Sequence, residues 1–265
     1  MLKRRSLRRS RQAAKQRRNF KTLRCCVGFA AVIGIVWSLS SISCSPFFFI
    51  EDVSLEGNVF TSLSDIEPII FEHTSGAYLG FFSKRNILLY PKGEIERKIL
   101  QDFPRIKNVI VRIKGARAVS VLISERLPEA LWCQSKEENS DCYFLDERGF
   151  IFAKSPLFSS QVYTRFLGQL SNDEPLRSVF LPEIFFRLSS FVKRVEEIGF
   201  PSVFVEVFED DSVVLETNEG KIIFTLERDF NETLANLKSF WRENRDELSD
   251  FEYLDLRFGN KIFYK

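Results

Sequence analysis

Between Arg24 and Glu51 the chain holds no charged residue, and the 24 positions before that gap carry eleven Lys or Arg and no Asp or Glu. Inside a bilayer every backbone N–H and C=O must be satisfied within the segment, so an uncharged run of this length has one simple solution, a helix. Its most apolar part, Cys25 to Ile42, rises roughly 27 Å in that form, close to the thickness of a bilayer's hydrocarbon core. One spanning helix is expected. Beyond it Glu51, Asp52, Glu56, Asp65 and Glu67 all precede the first cation, Lys84. The positive-inside bias therefore puts the N-terminus in the cytoplasm and the rest across the cytoplasmic (inner) membrane. The competing reading is a cleaved signal, whose apolar stretch is usually about 7 to 15 residues. Ser41 and Ser43 before Cys44 mimic a processing site, but Ser41 stands where lipoprotein processing at Cys44 calls for a large aliphatic residue. Clustered cations also suit phosphates. Beside a span they already have an orienting and anionic-lipid role, so no nucleic-acid partner is expected.

Composition divides the chain the same way. Of 38 basic residues eleven sit in the arm, leaving 27 against 36 acidic ones, a charge of −9 for the remainder. Cys25, Cys26 and Cys44 lie in or beside the run, whereas Cys133 and Cys142 flank the polar stretch Gln134 to Asp141, suited to a hairpin tip. An oxidising compartment would let those two close a small loop. Two unpaired thiols on adjacent strands fit the spacing equally well, because spacing does not fix whether the Cβ atoms meet.

Past the run, Ile50 to Glu56 alternates as a half-buried strand and Gly57-Asn58 supplies turn chemistry. Ser64 and Glu67 have capping-box spacing ahead of Ile69, Ile70 and Phe71, which predicts a short helix. A second helix is expected from Pro91 to Gln101, carrying Ile95, Ile99 and Leu100 and ending before Phe103-Pro104. Val109, Val111 and Ile113, then Val119, Val121 and Ile123, predict two strands around Gly115. The order is strand, helix, helix, strand, strand. After Arg126 a mixed β region follows: a hairpin around Asp146-Glu147-Arg148-Gly149, then an irregular link with Pro156 and Pro175. Ile184, Leu188, Phe191, Val195 and Ile198 form one helical face between Pro182 and Gly199. A meander is expected over Val203 to Phe208, Ser212 to Glu216 and Ile222 to Leu226, then a helix from Phe230 to Asn244 capped by Asp229 and Glu232. Two closing strands, Glu252 to Arg257 and Lys261 to Lys265, flank the Phe258-Gly259-Asn260 turn. The fold class is α+β: a basic arm (1–24), a transmembrane helix (25–45), a βααββ domain (46–125) and a mixed β-sheet domain with packed helices (126–265).

Three phrases carry a resemblance: Val53-Ser54-Leu55-Glu56-Gly57-Asn58, Glu125-Arg126-Leu127-Pro128-Glu129-Ala130-Leu131-Trp132, and Tyr253-Leu254-Asp255-Leu256-Arg257-Phe258. In this order behind a membrane anchor, they resemble the FtsQ/DivIB family of bacterial cell-division proteins, whose first extracytoplasmic domain is a POTRA domain. A departure is Gly115-Ala116, where a proline-containing turn is common in the family. The resemblance implies a divisome scaffold without catalytic activity or cofactor. Its partners would be small single-pass coiled-coil division proteins of the FtsB/DivIC and FtsL type, bound through the C-terminal part of the β domain.

The residues carry a partner site of their own. The last strand is expected to pair on one side only, so its other edge can accept a partner strand. Phe258, Lys261, Ile262, Phe263 and Tyr264 are the candidate contacts, although lysines such as Lys261 and Lys265 are also how ordinary edges are protected. Three or four backbone bonds at roughly 0.5 to 1.5 kcal/mol each, less the cost of ordering the partner, make a weak site that favours a partner held in the same membrane. A rival interaction class is a POTRA-bearing transport or chaperone component for outer-membrane proteins. Such components usually repeat the domain or precede a barrel of many strands, a pattern absent from this sequence. Catalysis is not expected. His73 is the one histidine, and the sequence has no phosphate loop, metal-ligand cluster or nucleophile elbow, so no metal or small-molecule substrate is expected either.

Overall fold

The computed structural model describes residues 2–137, 139–158, 162–172, 174–244 and 251–265, with side chains from residue 23 onward. The protein is mixed α+β. It divides into two compact units, residues 1–101 with 108–123 and residues 102–107 with 124–265.

The first unit opens with helix α1 (Leu2–Ser43), which passes from the basic arm into the apolar run without a break. Leu23–Ser43, 21 residues, is long and apolar enough to cross a membrane. Its side chains, among them Val32, Ile35 and Trp37, stand exposed around the helix. It stops short of residue 45 because Pro46, which has no N–H to donate, opens a 3-10 turn at Pro46–Phe48. Then come β1 (Asp52–Glu56), α2 (Leu63–His73), the two-residue strands β2 (Ala77–Tyr78) and β3 (Phe82–Ser83), α3 (Lys92–Asp102), β4 (Ile106–Ile113) and β5 (Ala118–Glu125).

The sheet order is β1-β5-β4, with β1 parallel to β5. Its core joins Ile66 and Ile70 of α2 and Ile95 and Ile99 of α3 to Val111, Val119 and Val121. Gly57 turns the chain out of β1 with φ +80°, where a side chain would strike the Ile123 carbonyl. Three expectations shift. The box at the start of α2 is Ser62 with Asp65, whose carboxylate accepts the Ser62 N–H at 3.2 Å, rather than Ser64 with Glu67. The helix begins two residues earlier than that spacing implies, and Pro68, which has no N–H to donate, lies inside it. Leu100 and Ile113 lie on solvent faces, since the buried set of each element is complete without them.

In the second unit a nine-stranded sheet runs β14-β13-β12-β11-β10-β9-β6-β7-β8. Its strands are β6 (Ala130–Cys133), β7 (Cys142–Leu145), β8 (Ile151–Lys154), β9 (Arg165–Leu167), β10 (Ser202–Val207), β11 (Ser212–Thr217), β12 (Lys221–Thr225), β13 (Tyr253–Phe258) and β14 (Lys261–Tyr264). Helix α4 (Phe185–Glu196) precedes β10 and α5 (Phe230–Asn244) precedes β13. Phe185, Leu188, Phe191 and Val195 of α4 and Phe230, Leu234 and Leu237 of α5 are buried against Val205, Leu215, Phe224 and Leu254 of the sheet. At about 1.5 to 3 kcal/mol for each large apolar side chain, this face is the main source of cohesion. Phe191 sits 4.8 Å from Phe224 and 5.1 Å from Phe230, ring centroid to centroid, which ties both helices to one strand.

The irregular link contains a strand that the sequence pattern did not predict. β9 pairs in parallel with both β6 and β10 and so joins the hairpin β6–β8 to the meander β10–β12. Helix α4 starts at Phe185, three residues after Pro182, because Leu181 and Glu183 take left-handed backbone angles of 47° and 67°.

Candidate docking edge

β14 is the last strand of the sheet, and among the described residues β13 is its one strand neighbour. Lys265 turns its backbone inward, donating its N–H to the Tyr253 carbonyl at 3.2 Å and accepting the Glu252 N–H at 2.6 Å. Backbone direction alternates along an antiparallel strand, so Phe263, opposite Asp255, also faces β13. Ile262 and Tyr264 therefore aim their N–H and C=O groups, two donors and two acceptors, away from the sheet. These four groups are what an added strand would bond.

Side chains frame the edge on both faces. Ile262 packs against the core, and Tyr264 lies 5.3 Å from the Phe240 ring of α5, so these two share the helix face. Phe263 points to the opposite face, where its ring meets Phe258 edge-on at 5.2 Å. Phe258, Phe263 and Tyr264 are each about half exposed, at 54, 51 and 51 %. Lys261 is exposed opposite Phe258, and the Asn236 side chain of α5 donates to the Gly259 carbonyl at 3.1 Å, fixing the turn between the strands.

Two charge pairs flank the edge. Arg257 holds the buried Asp255 carboxylate through Nε (3.0 Å) and Nη2 (2.7 Å), and that hydrogen bond pushes its guanidinium pKa up from the ordinary value. Lys265 bonds Glu252, just before β13, at 2.9 Å, and that hydrogen bond raises its pKa from the ordinary value. The opposite end of the sheet differs. Along β8, Ile151 donates to Ser178 (2.9 Å) and accepts from Arg177 (2.8 Å), and Phe150 bridges Val179. The segment 177–179 covers the start of that edge at Phe150 and Ile151, whereas no such bridge is seen along β14 among the described residues.

Cys133 and Cys142 lie elsewhere, directly opposed on β6 and β7 and joined by a disulfide, with Cα atoms 4.1 Å apart. His73 closes α2 with Nδ1 3.0 Å from the Ile69 carbonyl. Among the described residues no three His, Cys, Asp or Glu side chains gather where they could hold a metal ion. Sequence reasoning did not anticipate Phe240, the ion pair within Asp255-Leu256-Arg257 or the cover over the start of β8. The spacing of Asp255 and Arg257, two apart on one strand, was the available signal for the second of these. No protein-family model matches the sequence, and no curated protein matches it.

Proposed function

We propose that this protein is a bitopic, non-enzymatic scaffold of the bacterial divisome, in the manner of FtsQ/DivIB, whose first unit serves as a POTRA domain. It binds single-pass coiled-coil partners of the FtsB/DivIC and FtsL type by strand addition at β14. The observation that carries this reading is the exposed edge, with Ile262 and Tyr264 directing four backbone groups outward between half-exposed Phe258, Phe263 and Tyr264. With the two-residue hairpin β2–β3 inserted between its helices, the strand, helix, helix, strand, strand order of the first unit supports a POTRA reading. The apolar helix Leu23–Ser43 supports a membrane anchor. Its basic flank argues for a cytoplasmic N-terminus, and the Cys133–Cys142 disulfide favours an oxidising compartment for the second unit.

The test is in-cell crosslinking from a photoreactive residue at position 263. Capture of a small single-pass coiled-coil protein, lost when Ile262 and Tyr264 are changed to Ala in a chain that still folds, is the expected result. Capture of a barrel protein or its unfolded precursors would instead favour a transport role, and no capture would leave β14 an ordinary edge.

A further inference from the structure

The hairpin β2–β3 is aimed at the mouth of the apolar helix. The Ser40 hydroxyl donates to the Phe81 carbonyl at 2.6 Å, the Ser83 N–H donates to Ser43 Oγ at 3.1 Å, and the Asn86 side chain donates to the Ser43 carbonyl at 3.1 Å. Ser40 lies three residues inside the end of the helix, about 4.5 Å along its axis. The hairpin tip is therefore level with the last turn of the span. A groove of about 460 Å³ opens there, walled by Leu39 and Ile42 of the helix and by Tyr78, Phe82, Leu88 and Leu89.

The tip is costly in water. Tyr78, Leu79, Gly80 and Phe81 make a tight turn closed by a 3.0 Å bond from the Phe81 N–H to the Tyr78 carbonyl. Leu79 takes a left-handed φ of 51° that a leucine adopts reluctantly, yet its side chain is 89 % exposed. Phe81 and Leu88 are 57 and 72 % exposed beside it. Charge follows the same geography. From His73 to Gly93 there is no acidic residue, while Lys84, Arg85 and Lys92 are all cationic, in a chain whose remainder beyond the arm is acidic. Lys84 Nζ lies 5.3 Å from the centre of the Tyr78 ring, an aromatic and cation pair of the kind found at membrane interfaces.

From these observations the geometry points to a second membrane contact: the β2–β3 hairpin and the Leu88-Leu89 segment seat in the outer leaflet, acyl chains fill the groove, and Lys84 meets anionic phosphate headgroups. This rests on the reading of Leu23–Ser43 as a span. It makes the first unit lie against the bilayer instead of swinging from a tether.

The test uses the full chain with Cys25, Cys26 and Cys44 changed to Ser and the Cys133–Cys142 bond retained, in vesicles of phosphatidylcholine and phosphatidylglycerol. A nitroxide is placed in turn at Leu79→Cys, Leu88→Cys, Val32→Cys in the helix and Glu72→Cys on the surface of α2, and its collisions with oxygen and with a nickel chelate are measured. Labels at 79 and 88 are expected to give an oxygen-to-nickel ratio several-fold above that at 72 and below that at 32, which lies about 12 Å deeper along the helix than Ser40. A nickel-accessible 79 and 88 beside an oxygen-dominated 32 would overturn the hairpin contact and leave the span standing. A nickel-accessible 32 would remove the span and this inference together. Labels shielded from both reagents would mean that protein covers the groove, which also overturns it. Leu79 and Leu88 are exposed side chains, so either label reports without disturbing the core.

Discussion

Asp146 is a fully buried carboxylate, and its surroundings explain how a charge survives there. It accepts the N–H groups of Arg148 (2.9 Å) and Phe150 (3.0 Å) within its own turn and bonds Arg126 Nη1. Arg126 also donates through Nε to the Pro104 carbonyl at 3.1 Å and lies 4.1 Å from the centre of the Phe150 ring. Removing one member of such a pair strands the other, at roughly 3 to 5 kcal/mol. Arg126→Ala is expected to lower the unfolding free energy by about 3 kcal/mol, read from urea denaturation in detergent micelles. Arg126→Lys should recover part of this, because an ammonium cannot serve both acceptors in the same fork. The turn itself was legible in Asp146-Glu147-Arg148-Gly149. Gly149, at φ +80° with the Phe180 carbonyl where a Cβ would sit, shows why glycine ends it. The partner was not legible, because twenty residues separate Arg126 from Asp146 and no periodic pattern links them.

At the scale of elements, α5 matches its expected bounds because its start and stripe are both written locally. Asp229 Oδ1 accepts the N–H groups of Asn231 (2.6 Å) and Glu232 (3.2 Å), and these bonds, Asn231 first, hold its carboxyl below the usual carboxylate range. A depressed folded pKa contributes stability that is complete above the unfolded value of about 3.9 and fades as pH falls through the lower folded value. Wild type should therefore melt above Asp229→Ala at neutral pH, and the gap in Tm should narrow below about pH 4. An unchanged gap down to acid pH would mean that the charged cap is not the cause. β9 shows the opposite case. Arg165-Phe166-Leu167 is too short to display a period, and its place between β6 and β10 comes from the sheet on either side. The β6–β7 hairpin is held by the disulfide across a separation of 9 residues. Changing both cysteines to Ser is expected to cost roughly 2 to 3 kcal/mol by the chain-entropy relation, measurable as a lower urea midpoint.

At the scale of the whole molecule, a weak edge becomes useful only when its partner is already nearby. Four outward backbone groups at roughly 0.5 to 1.5 kcal/mol per net bond, less the ordering of a partner strand, leave little affinity in dilute solution. Anchoring both chains in one membrane supplies an effective concentration that can reach about millimolar. The full chain should thus crosslink its partner in intact membranes, whereas residues 46–265 alone, or the full chain once the membrane is dispersed in detergent, should bind it poorly. Strand direction sharpens this into a test of the edge. Proline at 262 removes a donor that points away from β13, and edge strands tolerate proline there. Proline at 263 removes one that points into the ladder. Ile262→Pro is expected to keep the fold, judged by the melting transition, and to lose the crosslinked partner, while Phe263→Pro should lower Tm. If Ile262→Pro folds and still captures the partner, binding runs through the aromatic faces of Phe258 and Phe263, and strand addition at β14 is wrong.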